Sequence, residues 1–99
     1  MPYKITYSQA VRQQLASLPG YIKAMARRRI AALCDAPRPP RSKELTGHPG
    51  YYRLWLGPDY RLVWHVADDE QIVEIEYVGL KPPDLYERLG LGRPPMQQR

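Results

Sequence analysis

Apolar and polar residues follow two different periods along this chain, and the change of period predicts where a strand gives way to a helix. Residues Tyr3–Tyr7 alternate with period two, which is typical of a strand with one buried face. Ser8 then offers a side-chain oxygen suited to capping the start of a helix. The apolar positions of this helix share one face: Val11, Leu15 and Leu18. Pro19 and Gly20 should end it.

A second helical pattern runs from about Tyr21 to Asp35. Its inward stripe is predicted to contain Ile22, Ala26, Ile30 and Leu33, with Lys23 and Arg27 turned outward. Arg29 falls within the apolar stripe, so we expect its long side chain to carry the charge out to solvent or to pair with an acid. Prolines and glycines between Ala36 and Gly50 then predict a stiff basic loop without regular structure, which is either a connector or a contact for a partner.

Three further strands are predicted from short runs rich in Tyr, Val, Ile, Leu and Trp: Tyr51–Leu56, Tyr60–Val66 and Ile72–Val78. The turns between them are short, so the strands should form an antiparallel meander. Alternation predicts that the face toward the helices carries Leu54, Leu56, Leu62, Trp64, Val66, Val73, Ile75 and Tyr77. The opposite face should be turned to solvent and carry Arg53, Trp55, Arg61, Val63, His65, Glu74 and Glu76.

A short helix, Asp84–Leu89, should follow the last strand, because Pro83 and Asp84 are suitable opening residues. The whole pattern predicts an α+β fold: two N-terminal helices packed on a small, mostly antiparallel four-stranded sheet, with a short C-terminal helix. A chain of 99 residues has room for one such core, so residues 1–89 are expected to form a single domain. Residues 90–99 are rich in Gly, Pro and Gln and are expected to be a flexible tail.

Positive charge is concentrated in the first half of the chain, although the net charge is only +5. Residues 1–50 have nine basic residues against Asp35 and Glu44, whereas acids outnumber bases in residues 51–99. A basic half attracts polyanions through the release of counterions. It equally describes a solvated surface, so charge alone does not choose between the two.

Several classes of function are disfavoured by what the sequence lacks. No run approaches the roughly 20 apolar residues of a membrane span, and the start has no secretory signal pattern, so we expect a cytoplasmic protein without a membrane partner. The lone cysteine, Cys34, cannot form an internal disulfide. Phosphate-binding glycine loops and His/Cys clusters with metal spacing are absent, so we expect no metal and no small-molecule cofactor. Serine catalysis is disfavoured because Ser8, Ser17 and Ser42 have simpler places as cap, helix surface and loop.

What remains is a cationic surface flanked by aromatic rings, on the sheet face turned away from the helices. It contains Arg53 and Arg61 on adjacent strands, Tyr51 and Trp55 beside Arg53, and Lys81 and Tyr86 where the last strand leads into the last helix. Guanidinium groups grip phosphates and aromatic rings stack on unpaired bases, so such a surface suits single-stranded RNA. Alternatively, the arginines pair across strands with Glu74 and Glu76, which would make the surface structural.

Four motifs follow the two predicted helices in order along the chain. A Leu-x-x-x-Pro pattern, Leu33 to Pro37, precedes them, and the whole arrangement covers about residues 3–89. The four motifs are Leu45-Thr46-Gly47-His48-Pro49-Gly50-Tyr51-Tyr52-Arg53-Leu54, Asp59-Tyr60-Arg61-Leu62-Val63-Trp64, Val78-Gly79-Leu80-Lys81, and Tyr86. This ordered set resembles the RelE/ParE superfamily of bacterial toxins, and its RelE branch more closely. The resemblance implies a toxin that cleaves mRNA in the ribosomal A site and is blocked by a cognate antitoxin that wraps its basic surface.

The resemblance also implies which residues carry the chemistry. By position in the RelE branch, the cleavage residues fall on Arg53, Arg61, Lys81 and Tyr86. RNA cleavage without a metal uses the neighbouring 2′-hydroxyl as nucleophile, so the two arginines would stabilise the phosphorane, and Lys81 would transfer a proton. Tyr86 would orient the nucleophile or stack on a base. Further RNA contacts are expected from Trp55, Tyr51, Lys43, Arg41 and His65.

Other functions remain open at this point. Trp55 departs from the RelE branch, which often has a lysine there, and the ParE branch acts instead by binding DNA gyrase. A plain binding module would contact ribosomal RNA without cutting it. His65 and His48 could also serve as base and acid, although His65 lies about 13 Å from Arg61 along the strand.

Overall fold

The computed structural model describes residues 2–91, and the chain in this range forms three helices and five strands. In chain order they are β1 (Lys4–Tyr7), α1 (Gln9–Ala16), α2 (Gly20–Leu33), β2 (Lys43–Glu44), β3 (Tyr51–Leu56), β4 (Tyr60–Ala67), β5 (Ile72–Leu80) and α3 (Leu85–Arg88). The predicted α+β fold class is confirmed, and β2 is a strand beyond the four predicted.

The helices begin and pack where the sequence predicts. The Oγ of Ser8 accepts a hydrogen bond from the backbone N–H of Val11 at 3.2 Å, which confirms Ser8 as the cap of α1. Pro19 directly precedes α2. The buried residues of α2 are the predicted stripe, Ile22, Ala26, Ile30 and Leu33. Arg29 is exposed, as expected of a long side chain that carries its charge out to solvent.

The five strands form one sheet in the order β1-β5-β4-β3-β2. The antiparallel meander of β3, β4 and β5 is confirmed, and β1 is an edge strand parallel to β5. β2 lies at the other edge, inside the segment that was predicted to lack regular structure, and pairs Lys43 with Arg53 and Glu44 with Tyr52. A strand of two residues has no periodicity to detect, and it forms because β3 offers an otherwise unpaired edge.

The main core lies between α1, α2 and one face of the sheet. It contains Val11, Leu18, Ile22, Ala26, Ile30, Leu33, Leu54, Leu56, Leu62, Trp64, Val66, Val73, Ile75 and Val78. Trp64 is fully buried there, and its indole N–H donates a hydrogen bond to the carbonyl oxygen of Pro37 at 2.9 Å. This bond fixes the start of the proline-rich loop against the core.

A β-bulge in β5 changes which residues of that strand face the main core. The register between β4 and β5 shifts between Val63 and Trp64, which leaves Glu76 as an extra residue in β5. Beyond the bulge the alternation is inverted, so Val78 is buried in the main core and Tyr77 packs on the opposite face. The prediction that Tyr77 faces the helices is therefore wrong, and Glu76 is half-buried rather than exposed.

A second core covers part of the sheet face that was predicted to be turned to solvent. Its buried residues are Leu45, Val63, Leu85 and Leu91. They come from the end of β2, from β4, from α3 and from the chain after it, so this second core holds α3 against the sheet. Leu91 lies beyond the predicted domain boundary at residue 89, and the rest of the predicted tail, 92–99, lies outside the described residues. Within residues 2–91, no helix has the length and apolar character needed to cross a membrane.

Candidate nucleic-acid site

Strand pairing arranges the predicted site residues in rows on the sheet face that carries the second core. One row is Trp55, Arg61 and Gly79. The next row is Lys43, Arg53, Val63 and Tyr77. The third row is Tyr51, His65 and Glu74. Arg53 and Arg61 therefore lie in neighbouring rows, whereas His65 is two rows away from Arg61.

Arg61 is enclosed by two aromatic side chains. It is only 3% exposed, and no other charged residue among residues 2–91 is buried. The Cζ of its guanidinium lies 3.7 Å from the centroid of the Trp55 ring, and its Nη1 donates a hydrogen bond to the hydroxyl of Tyr86 at 2.5 Å. The prediction that Arg61 faces solvent is therefore wrong, because the rings and the second core occupy the space that water would fill.

The positive charge of Arg61 has no carboxylate partner. The ion pairs among residues 2–91 join Arg38 to Asp68 and Arg88 to Asp84, so the alternative pairing of the sheet arginines with glutamates is wrong. The Nε of Arg61 is buried and has no hydrogen-bond partner in the described chain. Burial lowers the pKa of Arg61, and the nearby Arg53 lowers it further, while Tyr86 opposes this shift. An arginine nevertheless remains protonated near neutral pH, so the site holds a desolvated and uncompensated cation.

Tyr86 connects Arg61 to the last helix. Burial raises the pKa of its phenol, and the charges of Arg61 and Arg53 only partly offset that rise. The phenol is therefore protonated at neutral pH. Because its oxygen accepts the hydrogen bond from Arg61, its own O–H can donate to a further group. The backbone carbonyl of Tyr86 also accepts a hydrogen bond from the N–H of Leu91 at 2.7 Å, which ties the end of α3 to the second core.

Lys81 and Arg53 complete the cluster around Tyr86. The Nζ of Lys81 lies 5.6 Å from the centroid of the Tyr86 ring. The backbone N–H of Lys81 donates to the carbonyl oxygen of Asp59 at 3.1 Å, which fixes the start of the connection to α3. Arg53 lies close enough to lower the pKa of both Arg61 and Tyr86. The four residues predicted for cleavage are thus brought together, and Trp55 lies over Arg61 beside them.

A cavity of about 250 Å³ opens next to this cluster. It is lined by Glu44, Leu45, Thr46, Arg53, Tyr86, Glu87 and Leu91. The lining residues that were not predicted for the site are Glu44, Leu45, Thr46, Glu87 and Leu91. Glu87 and Leu91 reach the cavity only because α3 and the chain after it pack against the sheet. The apolar pair Leu85 and Leu89 is the sequence signal that could have indicated this packing. A larger cavity of about 500 Å³ lies between α1 and the ends of β4 and β5, but no charged residue lines it, so it has no cation to pair with a phosphate.

The predicted RNA-contact residues lie in three places. Trp55 contacts Arg61, and Lys43 lies opposite Arg53 at the sheet edge. Tyr51 and His65 contact each other instead, with ring centroids 4.4 Å apart. Burial, followed by the charges of Glu76 and Glu74, raises the pKa of Tyr51, so this residue lies near carboxylates. Arg41 is exposed in the loop before β2.

The fold and the sequence of this chain are similar to those of known toxins. A sequence model described as the ParE toxin of type II toxin–antitoxin systems, parDE, matches residues 5–80. A mutant of the toxin RelE from E. coli, solved in the free state, superposes with a TM-score of 0.76 at 21% identity, covering 91% of this chain and 96% of that one. No curated protein is significantly similar in sequence.

Two further solved structures share the fold. In the archaeal RelE–RelB complex from Pyrococcus horikoshii OT3, the matched chain has a TM-score of 0.71 and 24% identity, with 84% of this chain and 99% of that one covered. The YoeB/ParE toxin from Agrobacterium tumefaciens has a TM-score of 0.68 and 15% identity, with 80% and 99% covered. The resemblance to the RelE/ParE superfamily is therefore confirmed, and the chain belongs to the ParE toxin family of type II toxin–antitoxin systems.

Proposed function

We propose that this toxin is a ribosome-dependent endoribonuclease that cleaves mRNA without a metal, using the RNA 2′-hydroxyl as nucleophile. The observation that carries the proposal is the uncompensated guanidinium of Arg61, which is buried between Trp55 and Tyr86. Burying a charge without a partner costs several kcal/mol, so a small fold retains it only where it does something other than stabilise the native state. A phosphate of the substrate supplies the missing anion.

The other cations of the cluster suit the same ligand. Arg53 is half-buried in the neighbouring row, and the Nζ of Lys81 lies 5.6 Å from the centroid of the Tyr86 ring. Three positive charges, from β3, from β4 and from the residue after β5, therefore lie near the side chain of Tyr86. A phosphodiester that bridges them would neutralise part of their mutual repulsion, and this gain increases as the phosphorane acquires its second negative charge.

Each residue then has a distinct role in the reaction. Arg61 and Arg53 bind the non-bridging oxygens and stabilise the phosphorane, which is worth about 2–4 kcal/mol for each such donor. The O–H of Tyr86 is free to donate to a ribose or phosphate oxygen and thereby orients the 2′-hydroxyl for in-line attack. Lys81 transfers the proton between the attacking oxygen and the leaving 5′-oxygen.

The proposed partners follow from the same surface. Structures similar to this chain include complexes of RelE with RelB. By analogy we assign this chain a cognate antitoxin that covers the basic surface and blocks the site. The substrate would be the mRNA in a translating ribosome, which places the protein in the cytoplasm.

A second function, inhibition of DNA gyrase, is favoured by two specific observations. The matching sequence model carries the ParE name. Trp55, which covers Arg61, also stands where the RelE branch often has a lysine. In that case the exposed indole would contact protein rather than RNA, and Arg61 would be a structural residue.

The experiment that tests the proposal adds purified protein to translating ribosomes and maps breaks in the mRNA. An mRNA carrying a single 2′-O-methyl group on the nucleotide 5′ to a mapped break serves as the matched substrate, because it lacks the nucleophile and keeps the sequence. We expect breaks in the unmodified mRNA and none at the modified position. Intact mRNA together with inhibited supercoiling by gyrase would instead support the second function. Binding to ribosomes with neither effect would indicate a non-catalytic RNA-binding module.

A further inference from the structure

We propose that Trp55 is the platform on which one unpaired base of the substrate stacks, and that it selects a purine there. This inference rests on the proposed function and names the recognition element of the same site. Trp55 lies directly opposite Arg61 in the sheet, and the guanidinium of Arg61 covers one face of the indole with its Cζ 3.7 Å from the ring centroid. The residue is nevertheless 47% exposed, which leaves ring surface beyond the part that Arg61 covers open to solvent.

By leaving the indole exposed, the protein forgoes part of the free energy that burying a tryptophan would contribute. Exposure alone does not single out Trp55, since Tyr21 is 70% exposed on α2, which packs on the opposite face of the sheet from the candidate site. Trp55 differs because one face of its ring packs on the one buried cation of the described chain. An open aromatic ring fixed by a stacked guanidinium is a rigid surface for a flat ligand.

The ligand that fits both features is a nucleotide. Its base stacks on the open ring surface of Trp55, and its phosphate lies within reach of Arg53, two residues and about 7 Å along β3. Base pairing would hide the base inside a duplex, so the platform requires a single strand. Purines have a larger ring area than pyrimidines, and preference by stacking follows that area rather than a hydrogen-bond code.

The two tryptophans allow a direct test by fluorescence. Trp64 is fully buried and bonded to Pro37, so quenching by an added oligonucleotide reports on Trp55. Titration with short single-stranded oligo(A) and oligo(U) should quench the emission of the wild type, with tighter binding of oligo(A). The Trp55→Leu variant should bind oligo(A) roughly 5- to 100-fold more weakly when followed by a labelled oligonucleotide, whereas Trp55→Tyr should retain most of the affinity. Tyr21→Leu is the matched control for removal of an exposed aromatic ring and should bind like the wild type.

Cleavage mapping separates the failure of this inference from failure of the proposed function. The platform is supported if the mapped breaks show a preference for a purine at one fixed position, and if this preference is lost in Trp55→Leu and kept in Trp55→Tyr. Quenching with a preference for oligo(A) but no breaks on ribosomes also supports the platform, while it rejects the nuclease. The platform would be overturned if the breaks showed the same base preference in the wild type and in Trp55→Leu, and if neither oligonucleotide quenched the emission. This result would leave the nuclease proposal intact.

Discussion

The hydroxyl of Tyr86 accepts a hydrogen bond from Nη1 of Arg61, and this contact joins the central strand β4 to the short helix α3. The Tyr86→Phe substitution removes this hydroxyl and leaves the Nη1–H of Arg61 without a hydrogen-bond partner. We expect a stability loss of about 1–3 kcal/mol, because the Arg61 donor left without a partner is buried, and a fall in the rate of mRNA cleavage of roughly 100-fold. Cleavage rates on translating ribosomes and thermal unfolding measured on the same preparations test this expectation. A rate within threefold of the wild type would show that the hydroxyl has no part in the reaction.

The second core should control the site because it holds α3 in place. Leu85 is buried there, and Leu85→Ala should lower the free energy of unfolding by about 2–5 kcal/mol and also weaken cleavage, since Tyr86 follows it in the same helix. Leu80→Ala makes the same change at an exposed leucine and should alter stability by less than about 0.5 kcal/mol. Urea denaturation of both variants provides the comparison. Equal effects at the two positions would contradict the packing described for α3.

Glu76, the extra residue of the β5 bulge, predicts a pH dependence of stability. Burial raises its pKa above the ordinary value of 4.5, and the neighbouring Glu74 adds to the shift. Between the ordinary pKa and the raised pKa, the native state binds more protons than the unfolded chain. The free energy of unfolding therefore decreases as the pH rises through this window. The cost grows across this window and is complete above the raised pKa, so Glu76→Gln should raise the melting temperature at pH 7.

The same reasoning sets the control for Glu76. The gain in melting temperature from Glu76→Gln should shrink as the pH falls toward 4, because the wild-type side chain is then protonated as well. Glu70→Gln, at an exposed turn position, should show no comparable gain at pH 7. A gain at pH 7 that persists unchanged at pH 4 would mean that the charge of Glu76 is not its cause.

Alternation along the strands was sufficient to predict the face of most sheet residues. Leu62 and Trp64 pack in the main core, and Arg61 lies on the other face, because side chains alternate strictly while the pairing is regular. Tyr77 was assigned to the wrong face because a bulge inverts the alternation, and no local pattern marks Glu76 as the extra residue. The bulge depends on how β4 and β5 pair, which is a property of two distant segments.

The burial of Arg61 could not be predicted for a related reason. Its position on β4 follows from the sequence, but its enclosure requires Trp55 from the neighbouring strand and Tyr86 from a helix that follows in the chain. The placement of that helix depends on the second core, whose members are separated by up to half the chain. A local pattern therefore identifies the residues of the site, and only the packing shows which of them is desolvated.

The most direct test of the central claim replaces Arg61 by methionine, which has a similar length and no charge. Because the buried cation lacks a partner, Arg61→Met should leave the melting temperature unchanged or raise it, while cleavage of mRNA on ribosomes falls at least 100-fold. Arg88→Met is the matched control at an exposed arginine and should cleave within about twofold of the wild type. A folded Arg61→Met protein that cleaves at the wild-type rate, or one that is strongly destabilised, would contradict the assignment of Arg61 as a charge held for the substrate phosphate.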